Sequence, residues 1–324
     1  MKLICQNEIP FCEDLPHLSV VIPVYKADRT LKELYLRLKA TVELIAPNFE
    51  IIFVEDSGED HSWQVIEGLA AIDPRVRGIQ LSRNFGQHAA TLCGFAHARG
   101  RWVATLDDDL EHAPENLPML LAKAEEGYDL VYGVFSERSH MVWRNLTSNV
   151  ARWLFNKAIT SLNHEYTSYR FIRGDIARSL TQFDSPYPFI DGYLSWVTNR
   201  YATVEVQHNI RANGSSNYTS HKLFTHALNI FVTFSDLPLR LASWFGLLFF
   251  FIGMGWLGVI LIGRMFDWIN LSGYASILGA IVLFGGIQLL ILGVFGEYIG
   301  RINFKSSRKP LYIVGKSTMS QNDE

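Results

Sequence analysis

Three consecutive carboxylates, Asp107-Asp108-Asp109, follow Trp102-Val-Ala-Thr-Leu106, an apolar segment with the composition of a buried strand. Adjacent carboxylates repel one another, so a bound cation is the simplest reason for a protein to hold them together. Glu111 adds a fourth acidic side chain two residues further on. Oxygen ligands without a His or Cys pattern favour Mg2+ or Mn2+ over zinc. Such an ion can bridge the phosphates of a nucleotide and offset the charge on a departing diphosphate.

The surrounding sequence predicts the elements that would position these carboxylates. Apolar, β-branched segments alternate with segments of helical periodicity, which is typical of an α/β fold with a mostly parallel sheet covered on both faces. The predicted strands are 18–24, 49–54, 76–81 and 101–106, and the predicted helices are 30–45, 62–71 and 87–98. The residues directly after the strands are Tyr25-Lys26, Glu55-Asp56-Ser57-Gly58, Arg83-Asn84 and Asp107-Asp108-Asp109. Ligands bind at the carboxyl ends of such strands, so a shared site is favoured over a solvated acidic turn.

Composition narrows the class of protein. The chain has 324 residues, enough for one large domain and an appendage. Its net charge of −3 predicts no nucleic-acid partner, because such proteins usually present a strongly basic face. The three cysteines are too scattered for a metal site or a disulfide framework, which is typical of a reducing compartment. The first fifteen residues lack the basic start and apolar run of a signal peptide, so we expect a cytosolic N-terminus.

The composition changes near residue 237. Leu241–Gly263 has 23 residues without a charge, Trp268–Gly296 is also uncharged, and about 20 apolar residues suffice to cross a bilayer. Because only four residues separate the two runs, they predict a transmembrane hairpin rather than two buried helices. Cations are concentrated after the second run, at Arg301, Lys305, Arg308, Lys309 and Lys316. The positive-inside rule then predicts that the N-terminal domain and the C-terminus are cytoplasmic.

We therefore predict four regions along the chain. They are an α/β catalytic domain over 1–217, an amphipathic juxtamembrane helix over 218–236, a transmembrane hairpin over 237–300 and a basic cytoplasmic tail over 301–324. The apolar face of the amphipathic helix can lie on a membrane surface or pack against the α/β domain. Glycines in the hairpin allow close helix contacts and favour a homo-oligomer: Gly253, Gly255, Gly258, Gly285 and Gly286.

Seven segments occur in the order of a known set of motifs. The first four are Pro23-Val-Tyr25, Val54-Glu-Asp-Ser-Gly58, Ser82-Arg-Asn-Phe-Gly86 and Leu106-Asp-Asp-Asp-Leu110. The last three are Arg211-Ala-Asn-Gly-Ser-Ser-Asn-Tyr218, Pro238-Leu-Arg240 and Gly296-Glu-Tyr-Ile-Gly-Arg301. The first four resemble the motifs of family 2 glycosyltransferases of the GT-A fold. The last three resemble the polyprenyl-phosphate branch, which includes dolichyl-phosphate mannose synthase, bactoprenol glucosyltransferase and undecaprenyl-phosphate aminoarabinose transferase.

The resemblance implies a Rossmann-like GT-A fold and a nucleotide-sugar donor of the UDP or dTDP type. The implied nucleotide contacts are Pro23, Tyr25, Glu55, Asp56, Arg83, Asp107 and Asp108. Asp56, with Glu55 beside it, would hold the base, and Asp107 the ribose or the diphosphate. Asp109 would be the principal ligand of Mg2+ or Mn2+, joined by Glu111.

The resemblance also implies a polyprenyl phosphate acceptor. The implied phosphate contacts are Arg170, Arg211, Ser216 and Asn217. Arginine suits this role because its guanidinium can donate two hydrogen bonds to one phosphate. The chain departs from the usual pattern with Glu55 for Asp, Lys26-Ala27 for Asn-Glu, Glu111 for Gln and Asn217 for Lys. A neutral amide cannot supply the charge of a lysine, and Lys222 and His221 are the candidates to compensate.

These roles predict an inverting transfer, in which a phosphate oxygen of the lipid attacks the anomeric carbon opposite the nucleotide. The lipid phosphate is already ionised near neutral pH, so catalysis would depend on positioning and on departure of the nucleoside diphosphate. The implied catalytic residues are Asp107, Asp109, Arg170 and Arg211. The product would serve cell-envelope glycan synthesis or modification, such as that of lipopolysaccharide or O-antigen, at a bacterial inner membrane.

Two other functions stay open at this level. A processive polysaccharide synthase is less well supported, because the chain lacks a Gln-x-x-Arg-Trp signature. The departures at Lys26-Ala27 and Asn217 leave room for a catalytically silent membrane subunit that binds nucleotide sugar or presents a carrier to a flippase.

Overall fold

The computed structural model describes residues 15–135, 166–183, 188–206, 273–306 and 309–319, with Ser185 and short stretches between 242 and 266. The implied acceptor residues Arg211, Ser216 and Asn217 lie outside the described residues, as do the predicted amphipathic helix and part of the first predicted membrane helix. No helix within the described residues is both long and apolar enough to cross a membrane.

Strands and helices alternate along the described chain as predicted. The strands are β1 Leu18–Val24, β2 Phe49–Glu55, β3 Val76–Leu81, β4 Trp102–Thr105, β5 Leu130–Phe135, β6 Arg170–Arg173, β7 Tyr201–Val206 and β8 Val314–Ser317. The α-helices are α1 Leu31–Ile45, α2 Ser62–Ile72, α3 Gln87–His97, α4 Leu117–Glu125, α5 Gly174–Ser179, α6 Ile190–Val197 and α7 Tyr274–Ser306. The four predicted strands and three predicted helices agree with β1–β4 and α1–α3 to within one residue at each end.

These strands form one sheet in the order β7-β5-β6-β4-β1-β2-β3-β8. Its centre, β4-β1-β2-β3, is parallel, as predicted. Outside this centre the sheet is mixed: β5 pairs parallel with β7, whereas β6 pairs antiparallel with β4 and β5, and β8 pairs antiparallel with β3. The parallel centre brings the carboxyl ends of β1 to β4 to a single edge, as the site requires.

Two apolar layers cover the sheet. Val20 and Ile22 of β1 pack with α1, α2 and α4, whereas Val21, between them, packs with α3, α5 and α6. Burial on both faces explains why the central strands are continuous apolar runs rather than alternating ones. Gly94 lets α3 lie against β1, since an added Cβ would be 2.2 Å from Cγ1 of Val21. This packing places the first residue of α3, Gln87, at the carboxyl edge.

A buried carboxylate ties together the amino-terminal halves of the central strands. Glu50 of β2 is 2% exposed and accepts hydrogen bonds from Ser19 Oγ of β1 (2.6 Å) and Arg77 Nη1 of β3 (2.9 Å). Arg99, before β4, donates to it from Nε (3.1 Å) and Nη2 (3.0 Å). Glu50 therefore contacts residues from every part of the parallel centre, at the end opposite to the carboxyl edge.

We expect Glu50→Ala to lower the free energy of unfolding by about 3–5 kcal/mol, because Arg77 would be left as a buried charge without its partner. The matched control is Glu43→Ala, which removes a half-exposed partner of Arg75 (3.0 Å) and should cost less than about 1 kcal/mol. Chemical unfolding of the purified protein, followed by tryptophan fluorescence, measures both. Equal losses in the two variants would contradict the assignment of Glu50 as the tie between strands.

Candidate active site

Four loops follow the carboxyl ends of β1 to β4, and together we call residues 25–27, 55–59, 82–87 and 107–112 the rim. Within the described residues, every non-glycine residue with a positive φ lies in the rim: Lys26 (57°), Ser57 (55°), Glu59 (58°) and Leu110 (67°). A positive φ costs free energy in a residue that has a Cβ, and residues with this backbone conformation are concentrated at functional sites. The loops are also in direct contact, since a Cβ on Gly58 would lie 2.9 Å from the Lys26 nitrogen.

Asp107 is held by two residues that are distant in sequence and by a third in its own turn. Its Oδ1 accepts a hydrogen bond from Gln87 Nε2 of α3 (2.7 Å), and its Oδ2 accepts one from Ser168 Oγ, just before β6 (2.5 Å). Its backbone N–H donates to Nδ1 of His112 (3.2 Å). The carboxylate is thus held in one orientation before any ligand binds, which suits a residue that must position a substrate.

The His112 ring supports the turn that contains the three aspartates. It is 4% exposed and stacks between Phe135 (5.6 Å between ring centroids) and Tyr169 (5.0 Å). Sequence analysis gave no role to His112, Gln87 or Ser168. Ser168 could have been found from its place in Thr167-Ser-Tyr-Arg170, whereas the contacts of Gln87 and His112 carry no local signal.

Asp108 turns toward the β1 loop. Its Oδ2 accepts a hydrogen bond from the N–H of Tyr25 (2.8 Å), and its carbonyl accepts one from Thr30 Oγ1 (2.7 Å). Burial, together with the charges of Asp107 and Asp109, raises the pKa of Asp108 to about 7. Ionisation of Asp108 is therefore less favourable than that of an isolated aspartate, because its charge would lie beside two others.

Asp109 and Glu111, the predicted metal ligands, are both half-buried. The N–H of Glu111 donates to Oδ1 of Asp109 (3.1 Å), which holds the two residues together in the turn. Over the described residues, no group of three or more His, Cys, Asp or Glu side chains is arranged to hold a metal ion. Two carboxylates still suit Mg2+ or Mn2+, because these ions commonly take few protein ligands and complete their shells with water and phosphate oxygens.

The predicted base-binding acids, Glu55 and Asp56, are buried at the end of β2. Asp56 accepts hydrogen bonds from the N–H groups of Phe85 (2.7 Å) and Gly86 (2.8 Å). Burial raises the pKa of Asp56, although these two N–H groups lower it in part. Glu55 accepts hydrogen bonds from the Gly58 N–H (2.5 Å) and from Gln80 Nε2 of β3 (2.8 Å). Both acids are therefore connected to β3 and the loop after it.

The other predicted nucleotide contacts lie at different depths. Tyr25 is 45% exposed and Arg83 is also exposed, so both side chains line the open part of the rim. The Arg83 guanidinium lies over the Phe85 ring (4.6 Å to the centroid). Pro23 lies deeper, buried within β1 opposite Val54 of β2.

Arg170, the predicted acceptor cation, begins β6 and is 4% exposed. It makes a two-point ion pair with Asp191 of α6, through Nε (2.8 Å) and Nη2 (2.7 Å). Tyr132 of β5 donates to the same carboxylate (3.0 Å). The pair thus connects β5, β6 and α6, a role that sequence analysis missed for all three residues. Direct contact between Arg170 and a phosphate stays a prediction.

Comparison with known proteins finds matches to two protein families and to a solved structure. Residues 19–185 match the model of glycosyl transferase family 2, and residues 237–302 match that of the GtrB C-terminal hairpin. Among solved structures, glucosyl-3-phosphoglycerate synthase from Mycobacterium tuberculosis, in complex with Mn2+, UDP-glucose and phosphoglyceric acid, has a TM-score of 0.50 and 18% identity. The likeness covers 67% of this chain and 78% of that one, and it is a likeness of fold.

Several relatives match nearly the whole chain. An uncharacterized glycosyltransferase of Bacillus subtilis (strain 168) is 33% identical, over 94% of this chain and 95% of that protein. The SfII prophage-derived bactoprenol glucosyl transferase of Shigella flexneri is 31% identical, over 93% and 98%. The undecaprenyl-phosphate 4-deoxy-4-formamido-L-arabinose transferase of Shewanella sediminis (strain HAW-EB3) is 32% identical, over 93% and 92%. With over half of the chain matching the family model and its acids gathered at the carboxyl edge of the sheet, the protein belongs to the family 2 glycosyltransferases.

Proposed function

We propose that this glycosyltransferase transfers a sugar, with inversion, from a nucleotide sugar to a polyprenyl phosphate at the cytoplasmic face of a bacterial inner membrane. One observation carries the proposal. The relatives named for bactoprenol or undecaprenyl phosphate align along 92–98% of their own length, through the region of the C-terminal hairpin. The similarity therefore includes the part of the chain that would bring the donor site to a lipid acceptor, and not the sugar-transfer domain alone.

The exposed surface of α7 supports a membrane location. Ile281, Leu289 and Ile299 are each more than 60% exposed along this helix. Large apolar side chains that are exposed along the length of a helix are unfavourable in water, and lipid tails would cover them. We propose that the hairpin spans the bilayer twice, and that its glycines bring subunits of a homo-oligomer into contact.

The arrangement of the rim supports a nucleotide-sugar donor. Glu55 and Asp56 lie at the end of β2, with the exposed Arg83 on the neighbouring loop. Asp107 lies at the end of β4, held by Gln87 and Ser168. We propose that the base lies by Glu55 and Asp56, and that the ribose and diphosphate extend toward Asp107. The hydrogen bonds that fix these acids would then orient the donor without a large rearrangement of the loops.

Asp109 and Glu111 are the residues proposed to hold Mg2+ or Mn2+. When bound there, the ion would neutralise the negative charge of the nucleoside diphosphate as it leaves. Asp109 and Glu111 lie two residues apart in the same turn, where the Glu111 N–H donates to Asp109 Oδ1, and their carboxylates are the oxygen ligands that such ions prefer.

The reaction at the acceptor side needs a nucleophile rather than a strong base. A lipid phosphate is ionised near neutral pH, so one of its oxygens can form the new bond to the anomeric carbon while the bond from that carbon to the diphosphate breaks. The chain must then hold the phosphate in line with the leaving group. Arg211, with Ser216 and Asn217, is proposed to supply this contact. Arg170 would orient β6 and Ser168 through its ion pair with Asp191.

A transfer assay tests the proposed function directly. The full chain, purified in detergent, is incubated with Mn2+, undecaprenyl phosphate and a panel of radiolabelled UDP- and dTDP-sugars. One labelled lipid, whose anomeric configuration by NMR is opposite to that of the donor, is the expected product. A growing polymer would indicate a processive synthase, and nucleotide-sugar binding without a product would indicate a silent subunit.

We expect Asp109→Asn to lower transfer by about 100-fold or more, because even the outer-shell partners of metal ligands typically contribute 10- to 100-fold. Glu67→Gln, an exposed acid on α2 away from the rim, is the charge-matched control and should keep wild-type activity. The measurement is the initial rate as a function of Mn2+ concentration. Wild-type rate and Mn2+ dependence in Asp109→Asn would contradict the assignment of this residue as a metal ligand.

Arg211→Gln should raise the KM for undecaprenyl phosphate by about tenfold or more, with an unchanged donor KM, because the lost contact is to the acceptor alone. Arg170→Lys is expected to lower the melting temperature instead, since lysine cannot make both contacts with Asp191. Kinetics in both substrates and thermal unfolding of each variant separate the two roles. A raised acceptor KM in Arg170→Lys at wild-type melting temperature would locate the phosphate contact at Arg170.

A further inference from the structure

The segment after α7 returns to the α/β domain and joins its sheet. β8 pairs antiparallel with β3, with Ser317 opposite Ile79 and Lys316 opposite Gln80. Without β8, the outer edge of β3 would present unpaired N–H and C=O groups. Residues 307–313 connect the end of α7 to the start of β8. Seven residues span roughly 25 Å at most when fully extended, at about 3.3–3.6 Å per residue. The region predicted only as a basic tail thus contains a strand of the catalytic sheet.

Hydrogen bonds hold this segment at both ends of its pairing with β3. At one end, the N–H of Ser82 donates to the carbonyl of Ile313 (2.8 Å). At the other end, Thr318 bonds with Gly78 through both backbone and side chain. Its N–H donates to the Gly78 carbonyl (2.9 Å), and its Oγ1 accepts from the Gly78 N–H (2.8 Å) and donates a longer bond to the same carbonyl (3.4 Å). The stretch of β3 from Gly78 to the loop after it is therefore fixed from outside.

Close packing accompanies these bonds. A Cβ on Gly78 would lie 2.5 Å from Ile66 Cγ2 and 3.1 Å from Thr318 Cγ2, so the absence of a side chain there makes room for Thr318. Gly315 is similarly close to the β3 end, since its Cβ would lie 3.2 Å from Ser82 Cα. Leu311, Tyr312 and Met319 also pack against the apolar layer that contains α3. The segment is thus docked by side chains as well as by backbone.

The stretch of β3 that β8 holds is the one on which the donor-site acids depend. Gln80, opposite Lys316, donates to Glu55 (2.8 Å). Beyond Ser82, the N–H groups of Phe85 and Gly86 donate to Asp56 (2.7 and 2.8 Å). A shift of this stretch would move the donors of both acids.

We infer that the residues of β8, together with Thr318, position the donor site. By fixing β3 from Gly78 to Ser82, they hold residues 82–86, and through these the acids Glu55 and Asp56, in the geometry that receives the nucleotide. The inference rests on the nucleotide-sugar donor of the proposed function and is independent of its lipid acceptor.

Variants of Thr318 in the full chain test the inference. Thr318→Pro removes both the N–H donor and the Oγ1 acceptor, whereas Thr318→Ser keeps both and serves as the matched control. Hydrogen–deuterium exchange should become faster in residues 82–86 of Thr318→Pro and stay at the wild-type rate in Thr318→Ser. With Mn2+ present, we expect the Kd of Thr318→Pro for UDP or dTDP, whichever binds the wild type more tightly, to rise about fivefold or more, because one net hydrogen bond is worth roughly a factor of five.

Faster exchange in residues 309–319 of Thr318→Pro, with unchanged exchange in 82–86 and unchanged nucleotide affinity, would overturn the inference. If Thr318→Pro does not fold, Thr318→Val decides, because it keeps the N–H and loses only Oγ1. A two- to threefold weaker affinity supports the inference in that variant, and wild-type affinity overturns it. Neither measurement uses a lipid, so a failure of the lipid assay alone would count against the acceptor and not against the role of β8.

Discussion

The buried acids Glu55 and Asp56 and the half-buried Asp108 are each held by a hydrogen-bond donor from a neighbouring strand or loop, and the shape of the site depends on these bonds. Tyr25 after β1 holds Asp108, while β3 and the loop after it hold Glu55 and Asp56. Burial disfavours the ionised form of a carboxyl group and raises the pKa of both Asp56 and Asp108. Donors from adjacent loops offset part of this cost and connect the loops to one another.

The acids of the turn after β4 have two proposed roles. Asp107 is engaged on both carboxylate oxygens by Gln87 and Ser168, so its position is decided by the protein. Asp109 and Glu111 are half-buried in the turn that follows, and they are the pair proposed to hold Mg2+ or Mn2+. In a glycosyltransferase with a charged donor and a charged leaving group, the fixed acid would orient the donor, and the proposed cation site would neutralise the diphosphate.

Much of the fold could be predicted from sequence because the central elements have strong local patterns. The strands β1 to β4 are buried on both faces and form continuous apolar runs, and α1 to α3 follow helical periodicity. β6 and β8 have four residues each and find their partners far away in the chain, so no pattern predicts their antiparallel pairing. For the same reason the ion pair of Arg170 was not predicted, since nothing near it in sequence points to Asp191, while its contact with a phosphate stays a prediction.

The sequence by itself determined the family, the parallel centre of the sheet and the placing of acidic residues where its strands end. These properties depend on residue type and on spacing along the chain, which are local. The tertiary structure decided which groups hold Asp107, Asp108 and the acids after β2, that the Arg170 charge is balanced by Asp191, and that the tail completes the edge of the sheet at β3. Hydrogen bonds and ion pairs act over about 3 Å between residues distant in sequence, so only the folded chain specifies them.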